Sequence, residues 1–314
     1  MKSLSVYNFG NKLDTIEEIE EIISKMMHVP PSGLDKSSSG FIPFFNDVNI
    51  LEVKTESFKS FSGKVKISTK MLPASVIKEF LDDEIKRILI EENRNVGKKE
   101  KAELKEKITD NLLPKAFVKN NVISFSIVHD FIENKKYILI DSISENITGI
   151  VLRMLLENIK NNEEVGLSRL QAELPVASTI TKFIKEDFFN DLDINNTNIM
   201  TGTNCTININ CNQEVPSIVK VDKINLESED VLHHLQTENN LITKISLVLN
   251  KDMDDEIPFV LDEKLNFSGI KIKYNKVDDE EHDEHLLKLK AREIIMINEL
   301  LKLINSVYYN LLAS

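Results

Sequence analysis

Cysteine is scarce in this chain of 314 residues. The only two cysteines are Cys205 and Cys211. Two cysteines at this length argue against a disulfide-stapled fold and indicate a reducing compartment. A structural zinc site needs four Cys or His ligands, and no histidine lies close to this pair in the sequence. We therefore predict that both cysteines are inert thiols and that the protein has no metal or other cofactor.

The scarcity of glycine excludes several nucleotide-binding motifs. The sequence has 9 glycines, and no two of them lie within six residues of each other. A Walker A loop and a dinucleotide-binding fingerprint both need closely spaced glycines, because bare backbone must approach the phosphates. The catalytic motifs G-x-S-x-G and H-E-x-x-H are absent as well. These absences argue against a P-loop ATPase and a nicotinamide-dependent enzyme.

Long apolar segments are also lacking. No run approaches the roughly 18–20 apolar residues that a membrane-spanning helix needs. The first residues, MKSLSVYNFGNKLD, have neither the apolar core nor the cleavage site of a signal peptide. We expect a cytoplasmic protein with no membrane partner.

Charge is distributed unevenly along the chain, whose net charge is −12. Residues 64–119 carry 14 basic and 10 acidic side chains, whereas residues 120–314 carry 19 basic and 32 acidic ones. One internal segment is therefore basic within an acidic protein. Such a distribution attracts a polyanion to one place and repels it elsewhere.

The basic segment contains a row of cations at helical spacing. On a continuous helical wheel, Arg94, Lys98, Lys101 and Lys105 fall within one face about 60° wide. Lysines without interleaved aromatic residues suit contact with duplex phosphates better than stacking on single-stranded bases. A mixed Lys/Glu helix is also typical of an ordinary solvated surface, and Gly97 interrupts the register. The row by itself leaves both interpretations open.

Hydrophobic periodicity predicts an α+β fold in which helices and sheets are segregated. Asp14 is the predicted cap of the first helix, residues 195–212 are predicted as a polar loop or edge hairpin, and the apolar stripe of the last helix is predicted as core. The predicted helices are 15–27, 73–93, 98–113, 146–160, 228–236 and 285–312, and the predicted strands are 5–9, 64–68, 122–128, 137–140, 206–209, 217–221, 241–249 and 269–274.

The stretch 71–117 closely resembles the bacterial recombination-associated protein RdgC family. It opens with Leu72-Pro73 and Val76-Ile77-Lys78, continues through a Lys/Glu-rich helical hairpin, and closes with LLPKAF at 112–117. YNFGNKLD at 7–14 and GFIPFF at 40–45 are similar to the family's N-terminal pattern. A weaker match continues through 122–170, and the C-terminal half matches only loosely, best at 219–235.

The resemblance implies a curved, multi-lobed subunit that forms a ring-shaped homodimer around duplex DNA. It implies a central domain at 1–69 and 119–165, a helical tip at 70–118, a mixed α/β base domain at 166–280, and a C-terminal helix at 281–314 that packs on the central domain. It further implies a non-enzymatic, nucleoid-associated protein that binds double-stranded DNA with little sequence preference and restrains RecA-dependent recombination in competition with RecA filaments.

Individual residues take roles from the same resemblance. Arg94 corresponds to a basic residue of the tip, Lys223 to a basic residue that faces the hole, and Phe117 to an aromatic residue at the subunit junction. From position alone, an anchor of the hairpin in its own core is the favoured role of Phe117, because phenylalanine is commonly buried, and the resemblance reverses that expectation.

Two other functions stay open at this stage. The first is a metal-dependent DNA-processing enzyme that uses acidic residues in 252–284, where His282 and His285 add possible ligands, although an acidic solvated helix start explains these histidines more simply. The second is a protein–protein adaptor with no affinity for DNA.

Overall fold

The computed structural model describes residues 1–10, 13–157, 166–186, 193–194, 197–209, 217–250, 256–273 and 282–309, with the side chains at 193–194, 197–198 and 282–284 excepted. Within these ranges it contains seven α-helices and a large antiparallel sheet. The predicted combination of helices with antiparallel strands is confirmed. No helix in these ranges has an apolar stretch long enough to cross a bilayer.

The helices are α1 Ile16–Lys25, α2 Ala74–Glu92, α3 Lys98–Leu112, α4 Glu145–Leu156, α5 Val176–Glu186, α6 Glu229–His234 and α7 His282–Val307, with a 3-10 turn at Leu113–Lys115. The strands are β1 Ser3–Asn8, β2 Ser37–Ile42, β3 Leu51–Lys54, β4 Phe58–Met71, β5 Phe117–Asp130, β6 Lys135–Ile140, β7 Ser168–Arg169, β8 Asp193–Ile194, β9 Thr197–Ile209, β10 Ser217–Val221, β11 Leu241–Asn250, β12 Glu256–Asp262 and β13 Phe267–Ser268.

The chain divides into two compact units. The first unit comprises Met1–Ile19, Ile50–Ser62 and Ser124–Ser314, and the second comprises Glu20–Asn49 and Gly63–Ile123. The first unit carries 23 basic and 37 acidic side chains, whereas the second carries 16 basic and 14 acidic ones. The net negative charge of the protein therefore lies in the first unit. The finer domain boundaries expected from the resemblance stay a prediction.

The first unit is organised around antiparallel strands in the order β10-β9-β11-β12-β13-β1-β6-β5-β4, with β3 paired to β4. Val6 lies opposite Leu139, and Ile127 lies opposite Ile138. Residues Phe125 to Val128 are all buried, which indicates that this half of β5 is covered on both faces. On α7 the predicted apolar stripe is confirmed as core, with the buried members Ile297, Leu301 and Ile304.

The second unit joins the far half of β4 to β2 and carries α2 and α3. Phe41 pairs with Val65 in the β2–β4 register, and both are fully buried. Gly40 is needed beside them, because a Cβ atom there would lie 2.2 Å from the Cα atom of His28. This close approach lets the His28 amide donate to the carbonyl oxygen of Phe41 at 2.8 Å.

Three local predictions are wrong. The predicted polar loop is wrong at 197–209, because these residues form strand β9, which pairs with the distant β11 on one side. The edge-hairpin alternative and the predicted strand 206–209 are confirmed, since β9 pairs on its other side with the next strand, β10, at the edge of the sheet. The predicted strand 269–274 is not formed at 269–273, since Gly269 has φ 65° and turns the chain away. Asp14 does not cap α1: the hydroxyl oxygen of Thr15 accepts the Glu18 amide at 3.3 Å.

A buried carboxyl group fixes α7 to the sheet of the first unit. Glu293 is 7% exposed, and its Oε1 accepts a hydrogen bond from the Ser62 hydroxyl at 2.5 Å. The Ser62 hydroxyl also lies 2.8 Å from that of Ser126. Burial raises the pKa of Glu293, and the Ser62 hydrogen bond only partly opposes that effect.

Replacing Glu293 by glutamine should therefore change the pH dependence of stability. A carboxyl group with a raised folded-state pKa stabilises the fold below its unfolded pKa and loses that contribution as pH rises through the folded pKa. Glu293→Gln should remove this decline and stabilise the protein at neutral pH by on the order of 1 kcal/mol. Thermal melting between pH 4 and pH 8 measures the effect. The exposed Glu103→Gln change is the control, and identical pH profiles for both variants would contradict the assignment.

Candidate nucleic-acid interface

The helices α2 and α3 contact each other in the second unit and are joined by residues 93–97. Asn93 ends α2 in the left-handed conformation at φ 51°, and Gly97 stands at the N-cap of α3. The predicted break at Gly97 is confirmed. Leu81 and Ile88 of α2 are buried, whereas no residue of α3 is buried. Because α3 contributes so little to a core, its charged side chains remain available to a partner.

Three of the predicted cations form an exposed row on α3. Lys98, Lys101 and Lys105 are all exposed. Helical geometry places them within about 60° of one another and spreads them over roughly 10 Å of the axis. None of the three ammonium groups pairs with a carboxylate among the residues that the structure describes. The row therefore offers three uncompensated positive charges on one face of one helix.

Arg94 differs from these lysines in its backbone conformation and in its ion pairs. It lies in the non-helical connection, so it does not continue the row as the helical wheel supposed. Its Nε donates to Glu92 at 2.6 Å, and Nη1 and Nη2 donate to the two oxygens of Glu100 at 2.7 and 2.6 Å. These contacts raise the pKa of Arg94 and lower that of Glu100, with the Arg94–Glu100 hydrogen bond as the largest cause of each shift.

Lys223 lies in the first unit, in the turn that follows β10. It is exposed and has φ 60°, a left-handed conformation that lysine rarely adopts. The side-chain oxygen of Asn204 accepts the Lys223 amide at 3.0 Å. Ser246 holds Asn204 in turn, since its hydroxyl accepts the Asn204 amide at 2.9 Å and donates to the Asn204 carbonyl oxygen at 3.0 Å. Neighbouring strands therefore fix the backbone that carries this lysine.

Phe117 begins β5 and is 87% exposed. The preceding 3-10 turn, Leu113–Lys115, is anchored by buried Leu113 and contains Pro114 in its first positions. The next five residues of β5, at 118–122, are also exposed. The interpretation that Phe117 anchors its own core is therefore wrong. An aromatic ring this exposed is available to another surface.

The structure adds residues that the sequence did not single out. Glu92, Glu100 and Asn204 contact predicted site residues, but their partners depend on a turn or on strand pairing. The spacing from Gly97 to Glu100, which matches a helix-capping pattern, was the one available signal. A helical wheel that runs continuously through 93–97 does not show this contact, because α2 ends at Glu92 and α3 begins at Lys98.

The possible metal ligands and the two cysteines lie partly within the residues that the structure describes. Among the described residues, no cluster of three or more His, Cys, Asp or Glu side chains is arranged to hold a metal ion. Residues 251–255 and 274–281 lie outside this description, as do Cys211 and the side chain of His282. Cys205 is buried, and burial raises the pKa of its thiol to about 11. That thiol is therefore protonated and unreactive at neutral pH.

Comparison with known proteins matches residues 1–313 to the family model described as "Putative exonuclease, RdgC". The chain is 27% identical over 311 residues to the recombination-associated protein RdgC of Shewanella loihica, covering 98% of this chain and 95% of that protein. It is 28% identical over 296 residues to the protein of the same name from Neisseria meningitidis serogroup C, covering 90% and 87%. The similarity therefore extends well beyond the 71–117 motif.

Proposed function

Because the chain belongs to the RdgC family, we propose that it is a recombination-associated protein that binds double-stranded DNA with little sequence preference. It acts without catalysis, as a ring-shaped homodimer that encircles the duplex, associates with the nucleoid and restrains RecA-dependent strand exchange. Curated relatives carry the name recombination-associated protein over nearly the whole length of this chain, which supports the first part of the proposal.

The observation that carries DNA binding is the unpaired lysine row of α3. Lys98, Lys101 and Lys105 can each meet a phosphate without first leaving a carboxylate partner. Lysine contacts to phosphates release counterions and carry no sequence information by themselves. The acidic first unit repels DNA, so the contrast in charge favours contact through the second unit.

The exposure of Phe117 supports the homodimer. A phenylalanine that is 87% exposed in the single chain gains stability when a second surface covers it. Aromatic residues of this kind are common anchors at protein interfaces. The family resemblance implies that this second surface belongs to another copy of the chain.

A metal-dependent nuclease is the alternative function, and it is favoured by the family description "Putative exonuclease, RdgC". Within 252–284, the acidic side chains that the structure describes include Glu256, Asp262 and Glu263. Asp262 has a structural role. Its two carboxylate oxygens accept hydrogen bonds from the backbone amide and the side-chain amide of Asn266. This arrangement forms a turn and does not favour a metal centre.

One experiment separates these functions. The protein is incubated with linear and circular duplex DNA at low salt, with either Mg²⁺ or Mn²⁺, and the solution mass is measured on the same sample. We expect the DNA to be retarded but intact, and the protein to have the solution mass of a dimer. Shortened DNA would favour the nuclease, and unretarded DNA would favour an adaptor without DNA affinity.

The role of Lys223 can be tested without straining its turn. Asparagine tolerates the left-handed conformation better than most residues, so Lys223→Asn should fold with an unchanged melting temperature. If Lys223 contacts a phosphate, the change should weaken duplex binding a few-fold and lower the salt slope by about 1. Salt titrations of binding measure both values. An unchanged slope would remove Lys223 from the DNA surface.

A further inference from the structure

Arg94 is already bound to two anions within its own chain. Its bidentate contact with Glu100 uses the same guanidinium fork that arginine offers to a phosphate group. Its Nε contact with Glu92 leaves few N–H groups for a further acceptor. A phosphate that approaches Arg94 must therefore displace at least one carboxylate.

The charge around Arg94 differs in sign from the charge of the nearby lysine row. One guanidinium and two carboxylates sum to −1, whereas Lys98 and Lys101 are uncompensated within the described residues. All three members of the cluster are at least about one-third exposed, so incoming DNA can reach them. The cluster repels a phosphate until a carboxylate releases Arg94.

We propose that Glu92 and Glu100 are affinity-determining residues that compete with DNA phosphates for Arg94. They set the strength of duplex binding by holding one cation of the second unit in an internal ion pair. This inference rests on the proposed DNA-binding function. It assigns to two acidic residues a role opposite to that of the neighbouring lysines.

Glu100 has a second contact that determines how the proposal is tested. The Gly97 amide at the start of α3 also interacts with this carboxylate and contributes to the lowering of its pKa. A Glu or Gln at this position can satisfy the N-cap amide, so glutamine preserves the helix cap while it removes the negative charge. Alanine would disrupt both contacts and could not separate them.

The decisive comparison is Glu100→Gln against Glu103→Gln. Both substitutions remove one negative charge from α3, but Glu103 is exposed and pairs with no described residue. Glu103→Gln should strengthen duplex binding about twofold through the general field, whereas Glu100→Gln should strengthen it about tenfold and steepen the salt slope by about 1. Fluorescence titrations of labelled duplex at several salt concentrations give both values.

Arg94 variants complete the test. Arg94→Ala should weaken wild-type binding about twofold, because it removes one positive charge from the general field, and in its background Glu100→Gln should strengthen binding only about as much as Glu103→Gln does. Equal gains from the two glutamine variants, or a tenfold gain that survives without Arg94, would overturn the competition. Weaker binding by Glu100→Gln together with a lower melting temperature would overturn the proposal as well, because it would show that the ion pair only stabilises the connection between α2 and α3. If wild type and every variant leave duplex DNA unbound at low salt, the proposed function itself fails.

Discussion

Reversing two charges of the lysine row, as Lys98→Glu with Lys101→Glu, should weaken duplex binding about 100-fold at low salt. Both side chains are exposed and unpaired among the described residues, so each reversal replaces an attraction to phosphate with a repulsion. The salt slope should fall by about 2 for each subunit, because each phosphate contact contributes about 0.9 to it. Binding titrations on several unrelated duplex sequences should show the same loss for all of them.

The same helix provides a matched control. Lys99 and Lys107 are also exposed, but they lie about 100° and 180° from Lys98 on the helical wheel. Lys99→Glu with Lys107→Glu makes the same change in net charge and should weaken binding by only a few-fold. Equal losses for the two double variants would mean that the overall field matters and the row does not. A loss confined to one sequence would indicate base recognition.

Neither double variant should alter the fold. No residue of α3 is buried, and surface substitutions of this kind usually change stability by less than about 0.5 kcal/mol. Equal melting temperatures for wild type and both variants are therefore a precondition for interpreting the binding data.

The sequence predicted those features of the fold that depend on local periodicity. Helices α2 and α3 and the break at Gly97 follow from spacing and from helix-start signals within about 40 residues. The lysine row could be predicted for the same reason, since a helix fixes the angle between Lys98 and Lys101 without reference to other elements.

The features that the sequence did not predict depend on distant partners. The part of β9 before the predicted strand 206–209 is rich in Asn and Thr, and its pairing with β11 makes it a strand. Strand β12 contains Pro258 opposite Val248, although proline normally argues against a strand within a sheet. Strand identity in both cases comes from hydrogen bonds to segments that a local pattern does not include.

Site residues outside regular helices were equally hard to predict from sequence. The left-handed backbone of Lys223 depends on Asn204 and Ser246, which lie on other strands. The ion pairs of Arg94 depend on the path of a five-residue connection. Phe117 is exposed, whereas its residue type predicts burial, because phenylalanine is usually buried.

Phe117→Ser should leave the subunit folded but impair its retention on closed circular DNA. The ring of Phe117 is 87% exposed, so its removal takes almost no apolar area from the subunit core. At a subunit junction, truncation of such an aromatic anchor can cost about 2 kcal/mol or more. A dimer that encircles DNA and is joined at two junctions would then open at one of them without dissociating into monomers.

The difference between circular and linear DNA is the measurement that isolates encirclement. After a high-salt wash, wild type should stay on closed circles and leave linear DNA by sliding off its ends. Phe117→Ser should leave both at similar rates, with an unchanged melting temperature. Ile132→Ser is the matched control, because it removes a side chain that is 73% exposed in the β5–β6 turn of the first unit, and it should retain the preference for circles. Unchanged retention of Phe117→Ser with unchanged solution mass would remove Phe117 from the junction, since a closed ring that loses its anchor cannot hold a circle as firmly as before.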